Sequence, residues 1–238
     1  MNGVSWHVAR ATRRSAGELH AENALAHAST LGLTIQKKSS RAAEQDRPDV
    51  ARLRADWSEC QTSVDPTRLV FIDETGLQTG MTRRRGWAPA GERLVESVPG
   101  GHWRTYTLVQ AISLEETRTA MILDGPLNSI SFTGFCRQFL APVLHRGELV
   151  VLDNLSSHKS QAAVEAIESA GATVIYLPAY SPDLNPIEHI FSKVKQLIRG
   201  LRPKRWGEVV ESVKRALLRV THTDLHNAFE HSGYATTQ

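Results

Sequence analysis

The stretch GELVVLDNLSSHK (residues 147–159) places an acid directly after a run of apolar residues. Leu149 to Leu152 are all strongly apolar, which predicts a strand that is buried on both faces, and Asp153 follows at its end. A carboxylate in that position is costly to remove from water, so it is usually paired, hydrogen-bonded or bound to a metal ion. Which of these applies depends on whether other acids are placed in the same way.

Two further acids occupy comparable positions. Asp73, in FIDET, closes a second apolar strand, and Glu188, in SPDLNPIEHIF, lies in the first turn of a predicted helix. In α/β sheets the ligand crevice lies beyond the carboxyl ends of the strands, so two adjacent strands would bring Asp73 and Asp153 to one edge.

Each acid also has a simpler structural explanation. Asp73 and Asp153 could cap a following loop or helix, and Asn185, Pro186 and Glu188 could form a capping box at a helix start. Capping does not explain, however, why two acids each close a nearly all-apolar strand. Carboxylate oxygens are suitable ligands for Mg²⁺ or Mn²⁺, and two such ions can activate a nucleophile and stabilise the leaving oxygen in phosphoryl transfer. A metal site would explain all three acids together.

The order of predicted elements indicates an α/β fold. Strands are predicted over residues 68–75, 104–113, 118–125, 148–154 and 172–178, and helices over residues 131–144, 160–171 and 185–200. The resulting order, β-β-β-α-β-α-β-α, predicts a mixed sheet covered by helices. Residues 1–65 keep no steady helical period, so we expect a helical segment with a linker there.

Composition limits the class of protein. The chain has 238 residues, 41% of them hydrophobic, and no apolar run near the roughly 20 residues that span a bilayer. Two distant cysteines, Cys60 and Cys136, exclude a disulfide framework, and the first residues lack a secretory signal, so we expect a reduced, cytoplasmic protein. The histidines form no zincin motif, and His222 with His226 is more typical of a helix surface than of a metal site.

Basic residues are clustered although the net charge is only +3. Residues 193–219 contain nine Lys or Arg against two Glu, and TRRRGWAPAGER (82–93) is a second cluster. Such clusters suit contact with a nucleic-acid backbone, but a solvated helix face explains them equally well.

Several motifs together resemble a known family, the mariner-like bacterial insertion-sequence transposases (insertion sequence 630 group) of the Asp-Asp-Glu (DDE) superfamily. The motifs are FIDETG, RRRGWAPAGERL, GHWRTYT, LDGPLN, VVLDNLSSHK, LPAYSPDLNPIEHIFSKVK and the terminal HSGYATTQ. The 34 residues between Asp153 and Glu188 match the gap that this family shows.

The resemblance implies a fold and a chemistry. We expect a ribonuclease-H-like mixed five-stranded sheet flanked by helices over residues 66–200, with a basic helical tail over 201–238 packed on it. Asp73, Asp153 and Glu188 would hold two Mg²⁺ (or Mn²⁺) ions for hydrolytic cutting of transposon ends and attack of the freed 3′-hydroxyl on target DNA. The implied partners are DNA, at the nucleoid, and a second copy of the chain in a homodimer. Neither a membrane nor a small-molecule cofactor is expected.

The resemblance also suggests supporting roles. Residues that flank the acids could orient a carboxylate or meet a phosphate: Glu74, Asn154 and His158. Basic residues that could contact DNA are Arg83, Arg84, Arg85, Lys193 and Lys195.

The first residues depart from the family pattern. Relatives carry helix-turn-helix modules before the core, whereas residues 1–30 match no DNA-reading module. We therefore hypothesise a truncated N-terminal region that impairs activity and a loss of sequence-specific end recognition. The alternatives are a non-catalytic remnant that binds DNA or interferes with transposase subunits, and a generic metal-dependent nuclease of the same fold.

Overall fold

A five-stranded mixed sheet forms the centre of the protein. The computed structural model describes residues 42–83, 85–97 and 103–235. The strands are β1 (Leu69–Gln78), β2 (Thr105–Ile112), β3 (Thr117–Leu123), β4 (Leu149–Leu152) and β5 (Thr173–Tyr176). Their spatial order is β3-β2-β1-β4-β5; the first three strands are antiparallel, and β4 and β5 run parallel to β1. The predicted mixed five-stranded sheet is confirmed.

Six α-helices surround the sheet in the described part of the chain. They are α1 (Pro48–Gln61), α2 (Ser129–Phe135), α3 (Gln161–Ser169), α4 (Ile187–Leu201), α5 (Trp206–Leu217) and α6 (His222–His231). None of these helices is both long and apolar enough to cross a membrane.

The alternation of side chains along β1 divides the core into two layers. Leu69, Phe71 and Leu77 belong to one apolar cluster with α4, α5 and α6, whereas Val70 and Ile72 belong to another with α2 and α3. Successive residues of a strand point to opposite faces, so one apolar strand supplies both layers. Burial on both faces explains why the first part of β1 is continuously apolar.

Helix α4 is held by one apolar face. Its buried residues recur at the spacing of a helical stripe: Ile187, Ile190, Phe191, Val194 and Ile198. Each such side chain contributes about 1.5–3 kcal/mol when fully buried. The helix ends where Arg202 takes a left-handed conformation, with φ of 53°. This packing fixes the position of the first turn, where Glu188 lies.

Two segments differ from the sequence prediction. The helix predicted over 131–144 begins at Ser129, where Asn128 caps it, and after Phe135 it continues as a π turn (Cys136–Leu140) and a 3₁₀ turn (Ala141–Val143). Pro142 lacks an N–H group, so an α-helix cannot continue regularly through it.

Helix α1 lies within the segment that has no steady helical period of apolar residues. Only Val50 and Gln61 of this helix are buried, so it carries almost no apolar stripe. The partly buried Trp57 packs against the apolar core, and its Nε1 donates to Tyr234 Oη at 3.1 Å. Gln61 Nε2 donates to the Ser232 carbonyl at 2.8 Å. Residues 1–41 of the predicted N-terminal segment lie outside the described residues, and its boundary at residue 66 stays a prediction.

Candidate active site

Asp73 and Asp153 lie side by side at one edge of the sheet. The parallel pairing of β1 with β4 sets Phe71 opposite Val151, and each acid follows two residues later on its own chain segment. Asp73 is still within β1, where it pairs with Gln110 of β2, whereas Asp153 follows the last residue of β4. The register of two apolar strands therefore brings the two carboxylates together.

Glu188 approaches the same place from the first turn of α4. The capping box considered for Asn185 and Glu188 does not form, because the N-cap residue is Pro186 and Asn185 Oδ1 accepts from the Ile187 N–H, at 3.4 Å, rather than from Glu188. The Asn185 amide nitrogen instead donates to Asp73 Oδ2 at 2.9 Å. Asn185 therefore connects the start of α4 to the acid on β1.

The three acids line one cleft of about 450 Å³. Its remaining walls come from the segment after β4 and from the segment between β5 and α4: Asn154, Leu155, Lys159, Leu177, Pro178, Ala179, Tyr180, Ser181, Pro182 and Asn185. The cleft thus lies at the carboxyl ends of β4 and β5, where ligands bind in sheets of this kind.

The environment of Asp73 disfavours its negative charge. Asp73 is only 9% exposed. Burial, followed by the charges of Asp153, Glu74 and Glu188, raises the pKa of Asp73 to about 8, although the backbone N–H of Glu74 opposes the shift. That N–H donates to Asp73 Oδ1 at 2.8 Å. The carboxyl group thus retains its proton to higher pH than an ordinary Asp does.

Glu188 is affected in the same direction. Burial raises the pKa of Glu188, nearby Lys195 opposes the increase, and the charge of Asp153 adds to it. The three carboxylates therefore interact electrostatically. Among the described residues, their oxygens do not form a group in which every pair lies within 4.8 Å.

His158 is buried behind Asp153. Its Nδ1 lies 2.5 Å from Asp153 Oδ1, and the backbone N–H of Leu155 donates to the same oxygen at 3.1 Å. On the other side, Nε2 lies 3.0 Å from Glu74 Oε2, although the two atoms are not aligned as a hydrogen bond. Burial alone would lower the pKa of His158, but its contacts with Asp153 and Glu74 raise it to about 9. The ring therefore forms a charged bridge between two acids.

The predicted DNA-contacting residues are divided between two places. Arg83, Arg85 and Lys193 line a separate groove of about 810 Å³. Lys193 also forms an ion pair with Asp224, which does not line the groove. Lys195 lies close enough to Glu188 to affect its pKa. Arg84 lies outside the described residues.

Sequence reasoning missed three residues of the cleft. Asn185 was considered only as a cap, because Asn before Pro at a helix start usually has that role. Tyr180 has φ of 58° and a ring that is 47% exposed at the cleft, and neither property has a sequence signal for a Tyr. Lys159 ends the motif VVLDNLSSHK, directly after His158, and lines the cleft with the three acids. Its position in that motif was the sequence signal that could have identified it.

Several solved structures share the fold. The paired-end complex of Mos1 transposase with the left transposon end matches with a TM-score of 0.69 at 17% identity, covering 97% of this chain and 79% of that one. The Mos1 mariner paired-end complex with Mn matches with a TM-score of 0.67 at 16% identity, covering 97% of this chain and 79% of that one. The catalytic domain of Mos1 mariner transposase matches with a TM-score of 0.57 at 15% identity, covering 83% of this chain and 93% of that one. The expected ribonuclease-H-like arrangement is therefore confirmed at the level of the fold.

Comparisons of sequence identify the family. No curated protein matches the sequence significantly. The family described as DDE superfamily endonuclease matches residues 68–208, which is more than half of the chain and includes Asp73, Asp153 and Glu188. The predicted superfamily is confirmed, and the origin in a bacterial insertion sequence stays a prediction. The chain belongs to the DDE superfamily endonucleases.

Proposed function

We propose that this chain is the catalytic core of a DNA transposase, which cuts DNA and joins the freed 3′-hydroxyl to a target strand. The observation that carries the proposal is the single cleft lined by Asp73, Asp153 and Glu188 within the matched family region. The solved structures that share the fold support it, since they include the Mos1 paired-end complex with the left transposon end and the Mos1 strand transfer complex. The homodimer expected for holding paired transposon ends stays a prediction.

The acids fit divalent metal ions. Their oxygens are hard ligands of the kind that Mg²⁺ and Mn²⁺ prefer, and similar complexes of Mos1 are described with Mg and with Mn. Burial and repulsion from neighbouring acids raise the pKa of Asp73. Bound cations would oppose both effects, because they stabilise the charged form of the carboxylate. The family resemblance implies that the acids would hold two such ions.

Asp73, Asp153 and Glu188 would hold these ions. When bound, the ions would lower the pKa of the attacking water or hydroxyl and stabilise the leaving oxygen. Asp153 is suited to this task because its two hydrogen-bond partners in the described structure both use Oδ1, which leaves Oδ2 available toward the cleft.

Three neighbouring residues would position the acids. The Asn185 amide fixes the orientation of the Asp73 carboxylate. His158 holds Asp153 from behind, and Glu74 balances the charge on the His158 ring. Such partners hold the metal-binding carboxylates in one orientation, so less conformational entropy is lost when the substrate binds. Asn154 lines the cleft with an exposed side chain and could contact a phosphate.

The basic groove would bind the DNA backbone. Cations from the segment after β1 and from α4 and α5 line it: Arg83, Arg85, Lys193, Arg199, Arg215 and Arg219. Arg199 lies eleven residues after Glu188 on the same helix, so about 16 Å separates their backbones along the axis. That distance is about half of one turn of DNA. A duplex held in the groove could therefore extend to the cleft.

A strand-joining assay tests the proposal. Purified protein is incubated with Mn²⁺ or Mg²⁺, supercoiled plasmid and a short labelled duplex that carries a 3′-hydroxyl end. We expect metal-dependent nicking and covalent transfer of the label to the plasmid. Asp73→Asn, Asp153→Asn and Glu188→Gln should abolish both reactions, whereas the control Glu165→Gln, an exposed acid on α3, should not.

The outcomes separate the proposed functions. Equal nicking by wild type and Asp153→Asn would remove that acid from the chemistry. Nicking without any transfer would indicate a nuclease rather than a transposase. Binding of DNA without either reaction would favour the non-catalytic remnant.

A further inference from the structure

Three potential metal ligands meet outside the acidic cleft. Glu115 lies in the turn between β2 and β3, and His222 and His226 lie on successive turns of α6. One side-chain ligand atom from each residue lies within 4.8 Å of the other two. No other such group of three occurs among the His, Cys, Asp and Glu side chains of the described residues.

The contacts within this group follow a chelating pattern. His222 Nε2 lies 2.6 Å from Glu115 Oε2, and His226 Nε2 lies 3.8 Å from Glu115 Oε1. The two ring centroids are 4.0 Å apart. Ligands around a tetrahedral zinc ion, with bonds of about 2.0–2.1 Å, lie roughly 3.3 Å from one another. The observed distances lie on either side of that value, so small side-chain rotations would suffice.

A simple surface ion pair does not account for His226. Glu115 and His222 are more than half exposed, and their contact needs no further partner. His226 is only 18% exposed, and its buried Nε2 has no hydrogen-bond partner in the described part of the chain. Burying a polar atom without a partner is costly. A cation between Nε2 and the carboxylate would satisfy it.

The elements that carry these ligands are fixed independently. Thr221 and Asp224 form a capping box at the start of α6. The Ser113 N–H donates to the Glu116 carbonyl at 2.9 Å across the β2–β3 turn. Ligands on fixed elements lose little freedom when they bind an ion.

This group is separate from the proposed catalytic acids. Ile112, just before the turn, pairs with Phe71, whereas Asp73 is farther toward the carboxyl end of β1. The two sites share no residue. Their ligand chemistry also differs, because two imidazoles with one carboxylate suit a borderline transition ion rather than Mg²⁺.

We propose that Glu115, His222 and His226 bind one zinc-class divalent ion, with water in the fourth position. Histidines four residues apart lie on one face of a helix, which is the spacing by which helices chelate Zn²⁺. The α6 N-terminus disfavours a cation through its dipole, and the Glu115 and Asp224 carboxylates offset that effect. The ion would fasten the β2–β3 turn to α6, the helix whose Phe229 packs on Phe71 with ring centroids 5.3 Å apart.

Zinc titration of the whole protein tests the proposal. The protein is first treated with a chelator, and Zn²⁺ is then added against a chromophoric competitor in buffer with excess Mg²⁺, which would compete for the acidic cleft. We expect one equivalent of Zn²⁺ to bind and to raise the unfolding temperature. Glu115→Gln and His226→Ala should each weaken binding by roughly 100-fold or more, because even residues that only orient a ligand contribute roughly 10–100-fold.

Two controls keep the result interpretable. His145→Ala removes an exposed histidine elsewhere, with a side chain that is 74% exposed, and should leave zinc binding unchanged. Asp153→Asn should also leave it unchanged, which separates this site from the catalytic one whether or not the proposed function holds. If His226→Ala does not fold, the exposed Glu115→Gln variant and the visible spectrum of bound Co²⁺ still report on the site. Wild-type affinity in Glu115→Gln, or loss of the zinc equivalent in Asp153→Asn, would overturn the proposal.

Discussion

Helix α4 connects two surfaces of opposite charge. Its first turn contributes Glu188 to the acidic cleft of about 450 Å³, and its last turn contributes Arg199 to the basic groove of about 810 Å³. This direction agrees with the helix dipole, which favours an acid at the amino end and a cation at the carboxyl end. Of these two cavities, the larger is the one without the three acids of the proposed active site.

The two surfaces also differ in how tightly their side chains are held. Asp73 of the cleft and His158, which lies behind Asp153, are buried and interact with other ionisable groups. Arg85 and Arg219 of the groove are exposed. Substitutions in the cleft should thus alter chemistry, metal binding and stability together, whereas substitutions in the groove should alter DNA affinity and its salt dependence.

The largest expected effect is the loss of cleavage in Asp153→Asn. The substitution keeps the shape of the side chain but removes the charge proposed to hold a metal ion, so metal-dependent cleavage should fall by more than roughly 100-fold. The affinity for DNA should change little, because the groove remains intact. Gel shift and plasmid nicking on the same preparation measure both quantities. Parallel losses of affinity and cleavage would show that the two surfaces do not act separately.

The second effect concerns the stability of the metal-free protein. Asp73 has an ordinary pKa of 3.8 and a folded pKa of about 8, so its proton stabilises the fold at low pH and this contribution is lost as pH rises between them. His158, with values of 6.5 and about 9, contributes stability below 6.5 that is lost as pH rises through 9. Both shifts have the same sign, so the free energy of unfolding should decrease by a few kcal/mol between pH 4 and pH 9.

Chemical denaturation in the presence of a chelator measures this decrease. Asp73→Asn should flatten the pH dependence and stabilise the protein at high pH, and excess Mg²⁺ should do the same to the wild type by mass action. The groove variant Arg85→Ala should retain the wild-type slope. Stability that increases with pH in the metal-free wild type would contradict the repulsion argument.

A third, smaller effect should follow from disturbing the support of Asp153. Glu74→Gln removes the charge opposite His158 while keeping the size of the side chain, which is 22% exposed. Cleavage should fall by roughly 10–100-fold, and the Mg²⁺ concentration at half-maximal rate should increase. His158→Asn should do the same, although it also alters packing against Phe132. A change in unfolding temperature without a change in metal dependence would reduce both residues to a structural role.

Much of the sheet was predictable because its sequence signal is local. The continuous apolar runs before Asp73 and Asp153 predict buried strands, and the parallel register then forces the two acids to one edge. The stripe of α4 is similarly visible, because five of its apolar residues share one face.

The features that were missed depend on contacts distant in sequence. The interaction of Asn185 with Asp73 spans 112 positions, and the local alternative, a cap, was the better explanation from sequence alone. The meeting of Glu115 with His222 spans 107 positions, so the histidine pair gave no sign of its third partner. Helix α1 lies within the expected N-terminal helical segment, but its bounds were not predicted because it carries almost no apolar stripe.

The smallest effect is expected from single cations of the groove. Arg219→Ala removes one exposed charge at the end of α5, and we expect DNA affinity to decrease by roughly tenfold at low salt. The slope of log affinity against log salt should become shallower by about 0.9, the value for one lost phosphate contact on duplex DNA.

Arg52→Ala, with a side chain 84% exposed on α1 and outside the groove, is the matched control. At saturating DNA the cleavage rate of Arg219→Ala should equal that of the wild type, because its groove position is remote from the acids. An equal change of slope in both variants would mean that the protein binds DNA through its general positive charge, and the groove would then lose its distinct role.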